Sequence, residues 1–472
     1  MKRVLFVASE ASPFAHTGGL GEVCGSLPKS LAQRGCEVRL VLPAYRAIKA
    51  AYPNLPVYRT LPVPGQPSEC AILRLPLAPR LDLWLVDAPV FFDRPGGPYA
   101  DAAGREWHDN PHRFACFARA VVELAEDPAW RPDVVHCNDW PTGLVPALLS
   151  TRPQAPPSVF TLHNLAFAGL CDRETFEQLQ LPPAWWHYEH LEFHGSCSFL
   201  KGGLAFAERL TTVSPTYAQE ILTPALGQGL DGLLRHRANA LSGILNGIDT
   251  DSWNPATDPL LVANFSAAEL AARAPNKAAL QACFGLAEGP DALLLGMVSR
   301  LTDQKGIDLL LAVLPALVGE GFQCVILGSG EPALEAAVST LAARYPQAVG
   351  ARFGYDTALA HQIFAGADAV LMPSRFEPCG LSQLYSQRYG ALPIVRRTGG
   401  LHDSVRDGQT GFLFEEVSPA ALLAALRRAA AVWRQPQRWR ALQLAGMAED
   451  FSWDRSAGEY LALYHTLEHR GD

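Results

Sequence analysis

The sequence predicts an α/β protein made of two doubly wound, parallel-sheet domains, and three observations carry that expectation. A chain of 472 residues exceeds the roughly 250–300 residues at which a single hydrophobic core stops growing. Residues 4–8, 21–35 and 37–42 read as strand, helix and strand. That is a βαβ unit, and it implies a parallel sheet buried on both faces. The same alternation restarts at 292–298, continues through a helical stretch at 306–318, and returns to a strand at 323–327.

The remaining elements follow in order. Strands are expected at 71–75, 83–86, 134–137, 158–162 and 209–213, with a helix at 114–125 before the strand at 134. Beyond 323–327, which runs into Gly328-Ser329-Gly330, further strands are expected at 369–372 and 392–395. The turn-rich stretch Asn246-Gly247-Ile248-Asp249 reads as the hinge, giving domains at 1–245 and 246–450 and a closing segment at 451–472. Two such domains facing each other make a cleft, with the carboxyl ends of both sets of strands turned to it. Pro-rich patches at 61–67 and 152–157 read as surface loops.

Hydrophobic residues make up 49% of the chain and charged residues 18%, a globular composition with material for two cores. The formal net charge of −8 argues against a nucleic-acid partner held by phosphate neutralisation. The ten cysteines include no Cys-x-x-Cys pair and no zinc spacing with histidine, so they are expected as reduced core thiols. The apolar run after Met1-Lys2-Arg3 ends at Ser9-Glu10, too soon for a signal-peptide core, and nothing approaches the ~18 apolar residues of a membrane span. A soluble, cytoplasmic protein with no membrane partner is the expectation.

Four motifs stand between a strand and a helix, or just after a strand. His16-Thr17-Gly18-Gly19-Leu20-Gly21-Glu22 puts glycines and a helix N-terminus where backbone N–H groups can meet a phosphate; a tight β–α turn is the plainer reading. It has neither the Walker ending nor dinucleotide-site spacing. Arg300-Leu301-Thr302-Asp303-Gln304-Lys305-Gly306 places two cations at a strand's carboxyl end, which suits a pyrophosphate, or ordinary loop charge. In Ser374-Arg375-Phe376-Glu377-Pro378-Cys379-Gly380-Leu381 the carboxylate of Glu377 suits sugar hydroxyls and the N–H groups of Gly380 and Leu381 a phosphate; the alternative is a helix-capping Glu. His163, in Thr161-Leu162-His163-Asn164, is either structural or turned to the cleft. Asp249-Thr250-Asp251 has the Asp-x-Asp form of a metal site but reads as a capped loop. Trp185-Trp186-His187-Tyr188 reads as a partly buried surface helix or a sugar-stacking platform.

These motifs, in this order, resemble the bacterial and plant glycogen/starch synthases. The residues that carry the resemblance are Ser374 to Leu381, Arg396-Arg397-Thr398-Gly399-Gly400-Leu401, Val298 to Gly306, Leu245 to Asp249, Asp133 to Trp140, Asp93 to Tyr99, and Phe451-Ser452-Trp453. It runs from about residue 3 to 465. It implies the GT-B fold, with an N-terminal domain for the glucan acceptor, a C-terminal domain for the nucleotide sugar, and a last helix that crosses back to the first domain. It implies transfer of glucose from ADP-glucose to the non-reducing end of an α-1,4-glucan, with retention and without a cofactor or metal. By carry-over, Arg300 and Lys305 neutralise the departing phosphate, Glu377 holds glucose hydroxyls, and His163 supports the sugar. Asp139 and Asn164 contact the glucose or acceptor, and Asn246 lines the sugar pocket. Tyr355 stacks on the base, Tyr99 serves the acceptor side, Gly18 and Gly19 approach the diphosphate, and Cys379 belongs to the binding turn with Gly380 and Leu381. The chain departs from the pattern at His16, where lysine is usual, at Glu22 for Asp, at Asn138 for His, at Leu381 for Thr, and in a shorter loop at 406–411; a histidine at 16 implies pH-dependent phosphate binding. Related alternatives are a same-fold transferase using UDP-glucose or a small acceptor, and a glucan-binding protein with weak catalysis.

Overall fold

The computed structural model describes residues 1–64 and 69–467. Residues 65–67 of the expected loop at 61–67, and 468–472 of the closing segment, lie outside the described residues. The chain forms two compact units, Met1–Gly247 with Trp453–Asp472, and Ile248–Ser452.

The strands of the first unit are β1 (Arg3–Val7), β2 (Glu37–Pro43), β3 (Val57–Leu61), β4 (Cys70–Ala78), β5 (Leu81–Asp87), β6 (Val134–Asn138), β7 (Ser158–Leu162), β8 (Leu170–Cys171), β9 (Glu192–Phe193), β10 (Ser196–Ser198), β11 (Arg209–Thr212) and β12 (Leu241–Gly243). Nine of them make one sheet in the order β12-β11-β7-β6-β1-β2-β5-β4-β3, and β8-β10-β9 make a small separate one. Val4, Leu5, Phe6 and Val7 have no exposed surface, as expected of a strand buried on both faces. The sheet is parallel from β12 to β5, but β4 runs antiparallel to both β5 and β3. The expected parallel doubly wound sheet is present, and an antiparallel edge is added to it. β4 alternates toward its far end, with Arg74, Leu75, Pro76, Leu77 and Ala78 alternating between exposed and half-buried. A one-sided edge of that kind suits antiparallel pairing.

The helix Trp453–His465 belongs to this unit. Tyr464 shares a hydrogen with Nδ1 of buried His136 at 2.6 Å, and Arg34 makes two 2.8 Å contacts with Asp454.

The second unit holds β13 (Leu293–Val298), β14 (Phe322–Leu327), β15 (Val349–Arg352), β16 (Ala369–Met372), β17 (Leu392–Arg396) and β18 (Phe412–Phe414). They form a parallel sheet in the order β15-β14-β13-β16-β17-β18. The irregular stretch after Ile248 is fastened to it by aromatic stacking. Trp253 lies between His361 and Tyr385, each 3.7 Å away ring to ring. Asp258 accepts from His361 Nδ1 at 2.7 Å and from the Tyr389 hydroxyl at 2.6 Å. Among the described residues no helix is long and apolar enough to cross a membrane.

Candidate active site

Each large sheet has one point where strand order reverses, and in open parallel sheets ligands bind outside the strand ends at that point. In the first unit it lies between β1 and β6, which pair side by side while the chain builds outward in both directions. The loops leaving these strands carry His16, Gly18, Gly19 and Asp139. In the second unit it lies between β13 and β16. The loops there carry Arg300 and Lys305 on one side and Glu377, Cys379, Gly380 and Leu381 on the other.

In the first unit, Glu10 organises the loop after β1. It is 2% exposed. Its carboxylate accepts the Thr17 N–H at 2.6 Å, the Thr17 hydroxyl at 2.9 Å and the Tyr99 hydroxyl at 2.7 Å. The Tyr99 oxygen also lies 2.7 Å from Ser9 Oγ. Burial, then the Glu10 charge, push the Tyr99 phenol well above its usual range. The hydroxyl of Tyr99 is thus engaged by Glu10 and Ser9, while the residue as a whole is half-buried. The loop itself is open. Gly18 and Gly19 are exposed, and nothing lies within 4 Å of where a Gly18 side chain would start. The helix Gly19–Gln33 begins at this exposed pair with no side-chain cap from Gly18, and its N-terminus carries the positive end of the helix dipole. His16 Nε2 sits 3.2 Å from Glu22 Oε1 across this helix start. That hydrogen bond raises the His16 pKa against the opposing effect of burial.

Asp139 follows β6 with φ 56° and ψ 179°. Only glycine adopts that region freely, and other residues there cost about 1–3 kcal/mol. The conformation is held by what the side chain accepts: the His163 N–H at 2.6 Å and the Asn164 N–H. Burial nevertheless pushes Asp139 up to about 7, with the Glu10 charge adding to the rise. The His163 ring is buried and pushed down to about 3, so it is neutral. Asn164 spends its side-chain oxygen on the Ala166 N–H at 3.0 Å, closing a turn. Asn246 is 5% exposed, and its Oδ1 has no hydrogen-bond partner among the described residues. A buried orphan acceptor costs about 1–3 kcal/mol, a cost that a ligand hydroxyl would remove.

In the second unit, the loops after β13 and β16 are sewn together. Arg375 N–H donates to the Gln304 carbonyl at 2.8 Å, and Gln304 Nε2 to the Phe376 carbonyl at 3.2 Å. Gly306 has φ 67°, and a Cβ there would lie 2.1 Å from the Pro373 carbonyl oxygen. Only glycine permits that crossing. The result brings Lys305 Nζ within 2.5 Å of Glu377 Oε2, which also accepts from Ser374 Oγ at 3.0 Å. Glu377 is therefore not a helix cap. Its Oε1 receives no hydrogen bond among the described residues. Arg300 is exposed and pairs with no carboxylate among them. Cys379 is buried, Gly380 has φ 72°, and Leu381 stands ahead of the helix Ser382–Arg388. Tyr355 is 78% exposed after β15.

His16, Gly18, Gly19, Glu22, Tyr99, Asp139, His163, Asn164 and Asn246 thus belong to the first unit, and Arg300, Lys305, Tyr355, Glu377, Cys379, Gly380 and Leu381 to the second; direct contacts join His16 to Glu22, Asp139 to His163, and Lys305 to Glu377. Sequence reasoning missed Glu10, although a carboxylate just past the apolar run of β1 was a signal that it must find donors. Asp249 caps its own turn, accepting from the Asp251 N–H at 3.0 Å and the Ser252 hydroxyl at 2.9 Å. Trp185 is buried, Trp186 packs edge-on against Phe176, and Tyr188 is exposed.

Comparison with known proteins fits this layout. Residues 3–236 match the starch synthase catalytic domain, and residues 284–441 match glycosyl transferases group 1. Glycogen synthase 2 of Nitrosococcus oceani is 49% identical, with 99% of this chain and 98% of the relative covered. A glycogen synthase of Thioalkalivibrio sulfidiphilus is 51% identical over 98% and 99% of the two chains. The solved catalytic domain of starch synthase IV from Arabidopsis thaliana, bound to ADP and acarbose, superposes with a TM-score of 0.90 at 33% identity, covering 99% of this chain and 100% of that one. The two parallel-sheet units are those of the GT-B glycosyltransferases. Alike from end to end to proteins of one kind, the chain belongs to the glycogen/starch synthase family of glucosyltransferases.

Proposed function

We propose that the chain transfers glucose from ADP-glucose to the non-reducing end of an α-1,4-glucan, with retention of configuration. The observation that carries this reading is that an exposed Arg300 and the Lys305–Glu377 contact both lie in the loops at the strand-order reversal of the second unit. Two cations there suit a diphosphate, and the open Oε1 of Glu377 suits a sugar hydroxyl next to it. A relative solved with ADP and acarbose favours an adenine nucleotide and a glucan-like acceptor.

In this reading the second unit holds the donor. The acceptor O4 attacks C1 on the face from which the diphosphate departs. The O4–C1 bond forms as the C1–O bond to phosphate breaks, and the O4 proton leaves with the departing phosphate oxygen. Arg300 and Lys305 neutralise the charge that develops on that oxygen, the work a divalent ion does elsewhere. Asp139, once ionised, is assigned the negative charge that offsets the positive charge developing on the sugar, and Asn246 the acceptor for one of its hydroxyls.

The test is a donor screen with glycogen and short maltodextrins, measuring ADP against UDP release and the lengthened product. ADP-glucose should support elongation far better than UDP-glucose, and EDTA should leave the rate unchanged. Faster UDP release, transfer only to a small acceptor, or glucan retention without nucleotide release would each replace the proposal by one of its alternatives.

His16 adds a pH dependence. An imidazolium attracts phosphate only while protonated, and Glu22 holds it protonated to higher pH than the ordinary 6.5. Donor KM should therefore climb as pH rises through the His16 titration. His16→Lys should abolish the climb and raise alkaline activity, and Glu22→Gln should bring it on at lower pH. A KM that is flat with pH in the parent enzyme removes His16 from phosphate binding.

A further inference from the structure

Asn138 ends β6 and is 1% exposed. Its neighbours fix which way its amide points. The Val7 carbonyl, 3.1 Å away, can only accept, so Nδ2 faces it. Oδ1 therefore faces Nε2 of His163, at 3.0 Å. An amide oxygen also only accepts, so Nε2 must carry the ring proton. The ring is neutral, which leaves Nδ1 with a bare lone pair. No group among the described residues hydrogen-bonds to Nδ1. The backbone of the same residue is pinned by Asp139, whose Oδ1 takes its N–H at 2.6 Å. Both the position and the proton of His163 are thus set by two consecutive residues, Asn138 at the end of β6 and Asp139 just after it.

We propose that Asn138 is a positioning residue for glucosyl transfer: it locks His163 as the Nε2–H tautomer, so that Nδ1 is presented as a hydrogen-bond acceptor to a hydroxyl of the bound sugar. This rests on the transfer reading above and deepens it. The arrangement also keeps a cation away from the sugar, which itself becomes positive as the phosphate leaves. The titratable neighbours do not compete for the ring. His136, on the same strand, is held neutral by burial. Asp139 meets the backbone of His163 and not its ring, and Glu10 acts on Asp139.

The test uses the full chain carrying 15N-labelled histidine, with His163 assigned by its loss in a His163→Gln variant. Without substrate, the wild type should show Nε2 protonated and Nδ1 bare from pH 5 to 9 as flagged by a ring that stays neutral down to about 3. Asn138→Asp puts a carboxylate against Nε2 and should convert the ring to imidazolium near neutrality. Its kcat should fall about tenfold, the worth of one hydrogen bond to a charged or oriented partner, and should gain a new limb that rises with pH as the ring loses its extra proton. Asn138→Leu keeps the shape but not the acceptor. It should release a mixture of tautomers and lower kcat, with glucan KM unchanged. A wild-type ring protonated at Nδ1 overturns the proposal, as does either variant working at the parent's kcat with the parent's pH profile. Should Asn138→Leu fail to fold, the wild-type spectrum and Asn138→Asp still decide. A wild type that transfers no glucose from any nucleotide sugar overturns the transfer reading and this role together; a transferring enzyme with the other tautomer overturns this role alone.

Discussion

Alanine at Arg300 or at Lys305 is expected to lower kcat by about 10²–10³, the usual consequence of removing one preorganised group that meets charge in the transition state. Glucan affinity should stay close to the parent's, because both side chains belong to the unit proposed to hold the donor. The two variants should differ in stability, and the difference follows from their surroundings. Arg300 is exposed and unpaired among the described residues, so its loss should leave the melting temperature unchanged. Lys305 and Glu377 keep only 13% and 7% of their side chains exposed and lie 2.5 Å apart. Removing the lysine leaves a largely buried carboxylate with only Ser374 for company. Breaking a buried pair from one side costs about 3–5 kcal/mol, so Lys305→Ala should also melt earlier. The double variant Lys305→Ala with Glu377→Gln should recover much of that stability but none of the rate. Steady-state kinetics and thermal melts on the same preparations separate the two effects. Near-parent turnover in either single variant means that the cations do not serve the leaving group.

The parts of this molecule that were legible in the sequence are those set by local pattern. Buried parallel strands such as Ser158–Leu162 and Ala369–Met372 are continuous apolar runs, and they were placed at their observed bounds. The antiparallel edge was not legible. Val57–Leu61 has only one residue, Leu61, buried, so its pattern carries little hydrophobic signal, and its direction depends on β4 folding back along β5. In the site, the glycine-rich and cationic motifs declared themselves by position between strand and helix. What they touch did not. The Lys305–Glu377 pair joins residues separated by 72 positions, and the Glu10–Tyr99 contact joins residues separated by 89. Those distances exist only once β13 lies beside β16 and the loop after β5 packs back onto the loop after β1. The φ of 56° at Asp139 is hidden for the same reason, since nothing in its residue type announces it.

Asp139→Asn is expected to make the protein more stable and the enzyme far slower, and the two changes should share one pH dependence. Burial raises this carboxyl from 3.8 to about 7. A raised acid favours folding only while it is protonated. Its contribution is complete below 3.8 and lost as pH climbs through about 7. Above that value the folded protein carries an ionised carboxylate whose burial costs on the order of 4 kcal/mol, at ~1.4 kcal/mol for each tenfold change in the proton equilibrium. Asparagine keeps an oxygen for the His163 and Asn164 N–H groups and carries no charge. The stability advantage of Asp139→Asn should thus be absent near pH 4, grow through pH 5 and 6, and be full at pH 8. Activity should move the opposite way. In the parent, kcat should rise with pH as Asp139 ionises, because only the carboxylate stabilises positive charge on the sugar. The asparagine variant should be slower by about 10²–10³ at pH 8, with that limb gone. Melting curves and kcat measured from pH 5 to 8.5 test both halves, the window that spans the titration near 7. A variant that melts earlier than the parent at pH 8 would show that the carboxylate serves the fold. One that keeps the parent's rate would remove Asp139 from the chemistry. The expected pair, a gain in stability set against a loss in rate, identifies a charge that the fold holds at its own expense because the transferred sugar requires it.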